Sequence, residues 1–276
     1  MRRAMRCAMR RAASLLLAGS FLALPVLMWN QPTAQASDKR YRQVTAADDA
    51  QSVRLRDEAD ALRGQGDYAR AAELYTKAIH LNERRGGYLE RGYCYLKLGK
   101  YAQAEHDAKT ALYHQTARDT LRPGVAGMAP FIQVVCAYHT ADYQLAAEAS
   151  QKVHGTRYAK DPEYLSIMQE LAQNPDFIAR AVKFQETSVT VEDGGVSVEG
   201  MLENISDAPI TVTQADIALR ATDVKGNVAW SDAQVLGNLA VEVPPGKSVF
   251  YSFWMPNDRC RAISGEMQHK LLVKFG

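Results

Sequence analysis

The sequence predicts a multidomain α and β protein: an N-terminal α-helical solenoid followed by an antiparallel β-sandwich. Three observations lead there. A turn followed by Tyr-x-x-Ala or its variant recurs at Gly66-Asp67-Tyr68-Ala69-Arg70-Ala71, Gly99-Lys100-Tyr101-Ala102-Gln103-Ala104 and Ala141-Asp142-Tyr143-Gln144-Leu145-Ala146. The copies stand 33 and then 42 residues apart, the spacing of repeated helix-turn-helix units with an insertion before the last. From about Val182 the helical spacing gives way to short alternating stretches rich in Val, Thr and Ile.

The N-terminus sets an expectation of export. Arg2, Arg3, Arg6, Arg10 and Arg11 precede an apolar run from Ala12 to Trp29, and Ala34-Gln35-Ala36 offers small residues to a signal peptidase. Residues 1–36 read as a signal peptide and 37–49 as a flexible linker, giving a periplasmic or secreted chain that starts at Ser37. An uncleaved N-terminal membrane anchor is the alternative, and a membrane partner is expected only in that case. The whole chain has 33 basic and 31 acidic residues; without the five leader arginines 28 basic residues remain against 31 acidic ones, a net charge of about −3. No Lys/Arg-rich run or nucleic-acid motif remains, so no nucleic-acid partner is expected.

Around each turn the apolar spacing is helical. Leu55, Ala59 and Leu62 lead into the first turn and Ala71, Tyr75 and Ala78 leave it; Tyr88, Gly92 and Tyr95, then Ala104, Ala108 and Ala111, do the same at the second. Small residues let paired axes approach closely. Pro130 fits only an opening turn, so the first helix of the third unit starts near Ala129 or Pro130. Asp161-Pro162 is a further helix start, with Leu165, Met168 and Leu171 on one face, and this helix caps the stack, which spans residues 50–173.

The repeats resemble the tetratricopeptide repeat (TPR). The match rests on Ala59, Gly66, Tyr68, Ala71, Tyr75 and Ala78 in the first copy and on Gly92, Tyr95, Gly99, Tyr101, Ala104 and Ala111 in the second. A degenerate third copy keeps Tyr143 and Ala146. The resemblance implies a concave face built from the first helices, at Arg56, Asp60 and Arg63, at Leu89, Tyr93, Leu96 and Lys97, and at Phe131, Val135, Tyr138 and His139. Leu96, Phe131 and Val135 read equally well as core. Arg56, Arg63, Tyr93, Lys97, Tyr138 and His139 are the candidate partner-binding residues, a basic and aromatic set suited to an extended peptide or an acidic helix.

Asn174-Pro175-Asp176 breaks the helical pattern, and residues 174–181 read as a linker to a domain at 182–276. Strands are expected at Phe184–Val191, Val196–Asn204, Ile210–Thr222, Val228–Leu236, Ser248–Trp254 and Met267–Phe275. Turn signals at Asp193-Gly194-Gly195, Ser206-Asp207-Ala208-Pro209, Lys225-Gly226-Asn227 and Pro244-Pro245-Gly246 separate them. Short strands without long crossovers argue an antiparallel sandwich. The stretch from Val198 to Asn204 with Gly200, the segment around Asp223 and Gly226, and Pro245-Gly246-Lys247 leading into Phe250 and Phe253 resemble the immunoglobulin-like FxLYD-type domains of bacterial envelope proteins.

Catalytic signals are sparse. His80, His106, His114, His139, His154 and His269 form no ligand-spaced pair, and no nucleophile-elbow or phosphate-loop pattern occurs, so no enzyme activity, metal or cofactor is expected. His106-Asp107 reads as a solvated helix face rather than an acid/base pair. Asn204-Ile205-Ser206 fits a glycosylation acceptor, although the Asn reads better as shaping a strand end. Cys7 falls in the leader, Cys94 and Cys136 read as buried thiols with a bridge between them as the alternative, and Cys260 between Arg259 and Arg261 is the candidate for reactivity. Together these features suggest a noncatalytic exported adaptor that binds a protein or peptide of the cell envelope. The alternatives are a structural or oligomerising protein pairing through an edge strand at Leu271–Phe275, and a thiol-dependent enzyme using Cys260. Oligomeric state stays open.

Overall fold

Capping side chains decide where the helices begin. At α1 (Ala46–Gly64) the Thr45 hydroxyl accepts the Asp48 backbone N–H at 3.1 Å while the Asp48 carboxylate accepts the Thr45 N–H at 3.2 Å, a reciprocal box that satisfies two otherwise orphaned donors. Asp67 caps α2 (Tyr68–Leu81) and Asp142 caps α6 (Tyr143–Val153) through the same kind of bond. Between them lie α3 (Tyr88–Lys97), α4 (Tyr101–Thr116) and α5 (Met128–Thr140). Gly66 and Gly99 take φ of +83° and +69° in the first two turns, and Ala141 takes +56° in the third, where its Cβ makes the left-handed backbone costly.

The computed structural model describes residues 43–83, 87–116, 127–192, 194–257 and 268–276, the side chains of 115 and 116 excepted. The leader with its cleavage site, Cys7 and Cys260 lie outside the described residues. Val44–Gly276 form one compact unit, mixed α and β, with a helical N-terminal region followed by antiparallel sheets. Among the described residues no helix is long and apolar enough to cross a membrane.

The helices pair in order, α1 with α2, α3 with α4 and α5 with α6, and successive pairs touch through α2 with α3 and α4 with α5. Small residues make this possible. Ala71, Ala104 and Ala146, one per pair and each three residues past its turn tyrosine, are fully buried, and a Cβ on Gly92 would lie 3.3 Å from the Ala104 carbonyl oxygen. Two corrections to the expected linkers follow. The first helix already begins at Ala46, inside the stretch read as flexible. The segment 174–181 is also largely helical: after α7 (Pro162–Leu171) comes α8 (Pro175–Ala181), whose cap Asn174 accepts the Asp176 and Phe177 backbone N–H groups. α8 leads straight into the first strand.

That strand, β1 (Val182–Glu192), pairs antiparallel with β2 (Gly195–Asn204), which pairs with β7 (Ser248–Pro256). A second sheet has the order β5 (Val228–Leu236), β4 (Ala215–Thr222), β8 (Gln268–Phe275), and two short strands, β3 (Ile210–Val212) and β6 (Val241–Val243), form a third. The expected strand from Ile210 to Thr222 is therefore two strands in two sheets. The expected edge position of Leu271–Phe275 matches β8, which pairs with β4 alone among the described strands.

Alternating side chains of these strands point inward. Phe253 of β7 lies 5.5 Å from Phe184 of β1 and 6.2 Å from Phe275 of β8, measured between ring centroids. Gly200 makes room for this cluster, since a Cβ there would sit 2.4 Å from the Phe184 ring. One continuous buried core runs from Leu89 of α3 through Phe131, Tyr164 and Phe177 to Phe275, and a smaller one around Tyr75 holds the first helix pair. Leu89, Leu96, Phe131 and Val135 thus belong to the core and not to an open face. Polar bonds also cross between helices and strands: the Asp207 N–H donates to Ser150 Oγ at 2.9 Å and the Ile205 N–H to the Ala181 carbonyl at 2.8 Å.

Candidate functional site

A cleft of about 250 Å³ opens where the C-terminal end of α1 meets α3 and the start of α5. Arg63, Tyr68, Tyr93, Met128, Arg157 and Tyr158 line it. Arg157 and Tyr158 come from the 3-10 turn Arg157–Lys160, which Gly127 allows to approach: a Cβ on Gly127 would lie 2.5 Å from the Thr156 side chain. Phe131 supports the aromatic wall, stacking on Tyr158 at 5.1 Å and tilting against Tyr93 at 6.5 Å, while Tyr68 meets Tyr93 edge-on at 6.3 Å.

Both cations in the cleft are oriented. Arg63 Nε donates to Tyr75 Oη at 3.2 Å and its Nη2 to Asp60 at 3.0 Å; Tyr75 in turn donates to Asp60 at 2.6 Å. Arg157 lies 4.8 Å over the Tyr158 ring and donates to its hydroxyl at 2.7 Å. Burial raises the pKa of Tyr93, so its hydroxyl stays protonated and available as a donor.

The six residues expected to share one face are divided. Arg63 and Tyr93 meet in the cleft. Lys97 stands beside it, its Nζ 5.4 Å from the Tyr93 ring centroid and 2.5 Å from Glu163 of α7. Arg56 is 5% exposed and packs beside Gly87, so it does not present itself to a partner. Tyr138 donates its hydroxyl to Glu170 and His139 stacks on Tyr101 at 4.2 Å. They follow Met128 by ten and eleven residues, about 15 Å further along α5, so they are remote from the cleft. Sequence reasoning missed Arg157 and Tyr158, which lie beyond the last repeat; the adjacent cation and ring were their only signal.

A second concavity of about 550 Å³ lies between α7 and β3. Leu165, Met168 and Ile178 give it apolar walls, and Tyr164 and Asp207 stand at its polar end. Among the described residues no group of three His, Cys, Asp or Glu side chains gathers as a metal site. Cys94 and Cys136 are buried free thiols, as the sequence suggests, and burial pushes both up to about 12. Iodoacetamide at about pH 8 should therefore leave both unlabelled in the folded chain and label both in denaturant, read by peptide mass mapping. Labelling of either in the folded state would contradict the burial.

No family model matches the chain. Among solved structures it has a slight likeness to the Pseudomonas fluorescens alkylpurine DNA glycosylase AlkC bound to DNA containing an abasic site analog, at 13% identity and a TM-score of 0.23 over 80% of this chain and 73% of that one. These findings correct several expectations. Membership of the TPR or FxLYD-type families finds no matching model, and the solved structure named above is that of a DNA-bound enzyme. The assignments as an adaptor of those families, as a chain without enzyme activity, and as one with envelope-protein but no nucleic-acid partners find no support in these comparisons. A likeness this slight carries no activity over to the present chain.

Proposed function

We propose that the chain is a ligand-binding protein whose cleft at Arg63, Tyr93 and Arg157 takes a small anion, a carboxylate or phosphate borne on a planar group. The observation that carries this reading is the Arg157 guanidinium, next to the Asp60-paired Arg63, in one cavity otherwise walled by Gly64, tyrosine rings and a methionine. Guanidinium matches carboxylate and phosphate geometry, and tyrosine faces accept a planar body. The volume suits a ligand of modest size. The same proposal holds the helix pairs to be a short solenoid, supported by the ordered contacts from α1 to α6, and the sheets to be an antiparallel sandwich, supported by the Phe184, Phe253 and Phe275 cluster.

Calorimetric titration of the full chain with phenyl phosphate, inorganic phosphate and phenol tests the site. Phenyl phosphate should bind most tightly, and Arg157→Gln, at an exposed position, should weaken it about tenfold without changing the melting temperature. Phenol binding as tightly as phenyl phosphate, or an Arg157→Gln variant with unchanged affinity, would reject the reading.

A further inference from the structure

The groove between α7 and β3 carries a charge pattern of its own. Among the described residues that line it, Asp207 is the one charged side chain, set against Leu165, Met168, Ile178 and Pro209. Its side chain is 11% exposed. Tyr164 donates to Asp207 Oδ2 at 2.9 Å, and His154 Nδ1 lies 2.6 Å from Oδ1. Burial and the neighbouring carboxylate push the Tyr164 pKa up, so this hydroxyl is a neutral donor that orients Asp207 without cancelling its charge. Ser150 Oγ accepts the Asp207 backbone N–H and fixes the residue from behind.

A carboxylate offers about four acceptor positions, and these two contacts use two of them. A low-dielectric wall strengthens the attraction between that carboxylate and a cation entering from the groove. We propose that this groove binds a small lipophilic amine, its ammonium group on Asp207 and its hydrocarbon body along Leu165, Met168 and Ile178. Charge complementarity selects this occupant: an apolar anion would meet Asp207 unfavourably, and a neutral apolar molecule would leave the carboxylate without a cation from the ligand. Leu165, 53% exposed, would be covered by the hydrocarbon body.

The test is calorimetric titration of the full chain with octylammonium, octanol and octanoate, each below its aggregation limit. Octylammonium should bind one per chain and about tenfold more tightly than octanol, with octanoate weakest. Asp207→Asn should erase the preference for the amine over the alcohol. Because Asp207 also ties helices to strands, Leu165→Lys provides a second variant at a half-exposed position: it puts a competing ammonium into the groove and should weaken octylammonium about tenfold in a chain with unchanged circular dichroism. Equal binding of amine and alcohol, no saturable binding of the amine, or a folded Leu165→Lys variant with undiminished affinity would each overturn the proposal.

Discussion

Replacing Asp107 with alanine should destabilise the helical region by about 3 to 5 kcal/mol, because it leaves Arg91 charged in a site built for a pair. Arg91 Nε and Nη2 each donate to the Asp107 carboxylate at 2.7 Å, and the Asp107 side chain is 2% exposed. The guanidinium also lies 5.5 Å from the Tyr88 ring and donates to Thr76 at 3.1 Å, so α2, α3 and α4 meet at one cation. Gly92 brings the helices close enough for this, with Asp107 Cβ 3.2 Å from where its own Cβ would stand. Charge-assisted hydrogen bonds to Asp107 raise the Arg91 pKa against the opposing effect of burial, and even without them a guanidinium does not lose its proton in a protein, so deprotonation offers no escape. Replacing both partners together, Arg91→Met with Asp107→Leu, should cost far less than Asp107→Ala alone. Urea unfolding of the two variants reads the contrast; a single variant within about 1 kcal/mol of the parent would show that water reaches the pair.

The pair also shows where sequence reasoning fails. His106 is exposed, as the expected solvated face requires, whereas the neighbouring Asp107 is buried. The charge of Asp107 argued for the solvated face, yet the residue stands beside Ala104 and Ala108 on the inner side of α4, where a partner on another helix accounts for it. Helix starts were legible where a side chain caps the chain locally. Asp161-Pro162 and Asn174-Pro175 use the same chemistry, yet α8 has 7 residues, too few to show a period, so the second motif reads as a break. The long strand from Ile210 divides because Thr213 and Gln214 give their N–H groups to the Gly276 carbonyl, a bond with no local trace. At the cleft, repeat spacing brings Arg63 and Tyr93 together, but it says nothing about depth, which removes Arg56, or about distance along a helix, which removes Tyr138 and His139.

Asn204→Ala should cost about 3 to 5 kcal/mol, placing it among the most damaging single changes in the β region. Asn204 is fully buried at the end of β2. Its Nδ2 donates to the Ala208 carbonyl at 2.7 Å and to the Val243 carbonyl at 2.9 Å, and its Oδ1 accepts the Ser206 N–H at 2.9 Å and the Ser206 hydroxyl at 2.7 Å. One side chain thereby folds the loop from β2 to β3 and ties it to β6. Alanine would strand two carbonyls and two donors away from water, and each such group costs about 1 to 3 kcal/mol when relaxation does not rescue it. Asn204→Asp separates the two halves of the network, keeping the acceptors for Ser206 while setting a carboxylate against two carbonyls, so it should be at least as damaging as alanine. The same burial closes the Asn204-Ile205-Ser206 sequence to glycosylation in the folded chain and supports the reading of Asn204 as the shaper of a strand end. Thermal unfolding followed by circular dichroism measures both variants. An Asn204→Ala protein that melts within a few degrees of the parent would mean that water replaces the side chain in this loop, and the network would then be a consequence of the fold and not one of its causes.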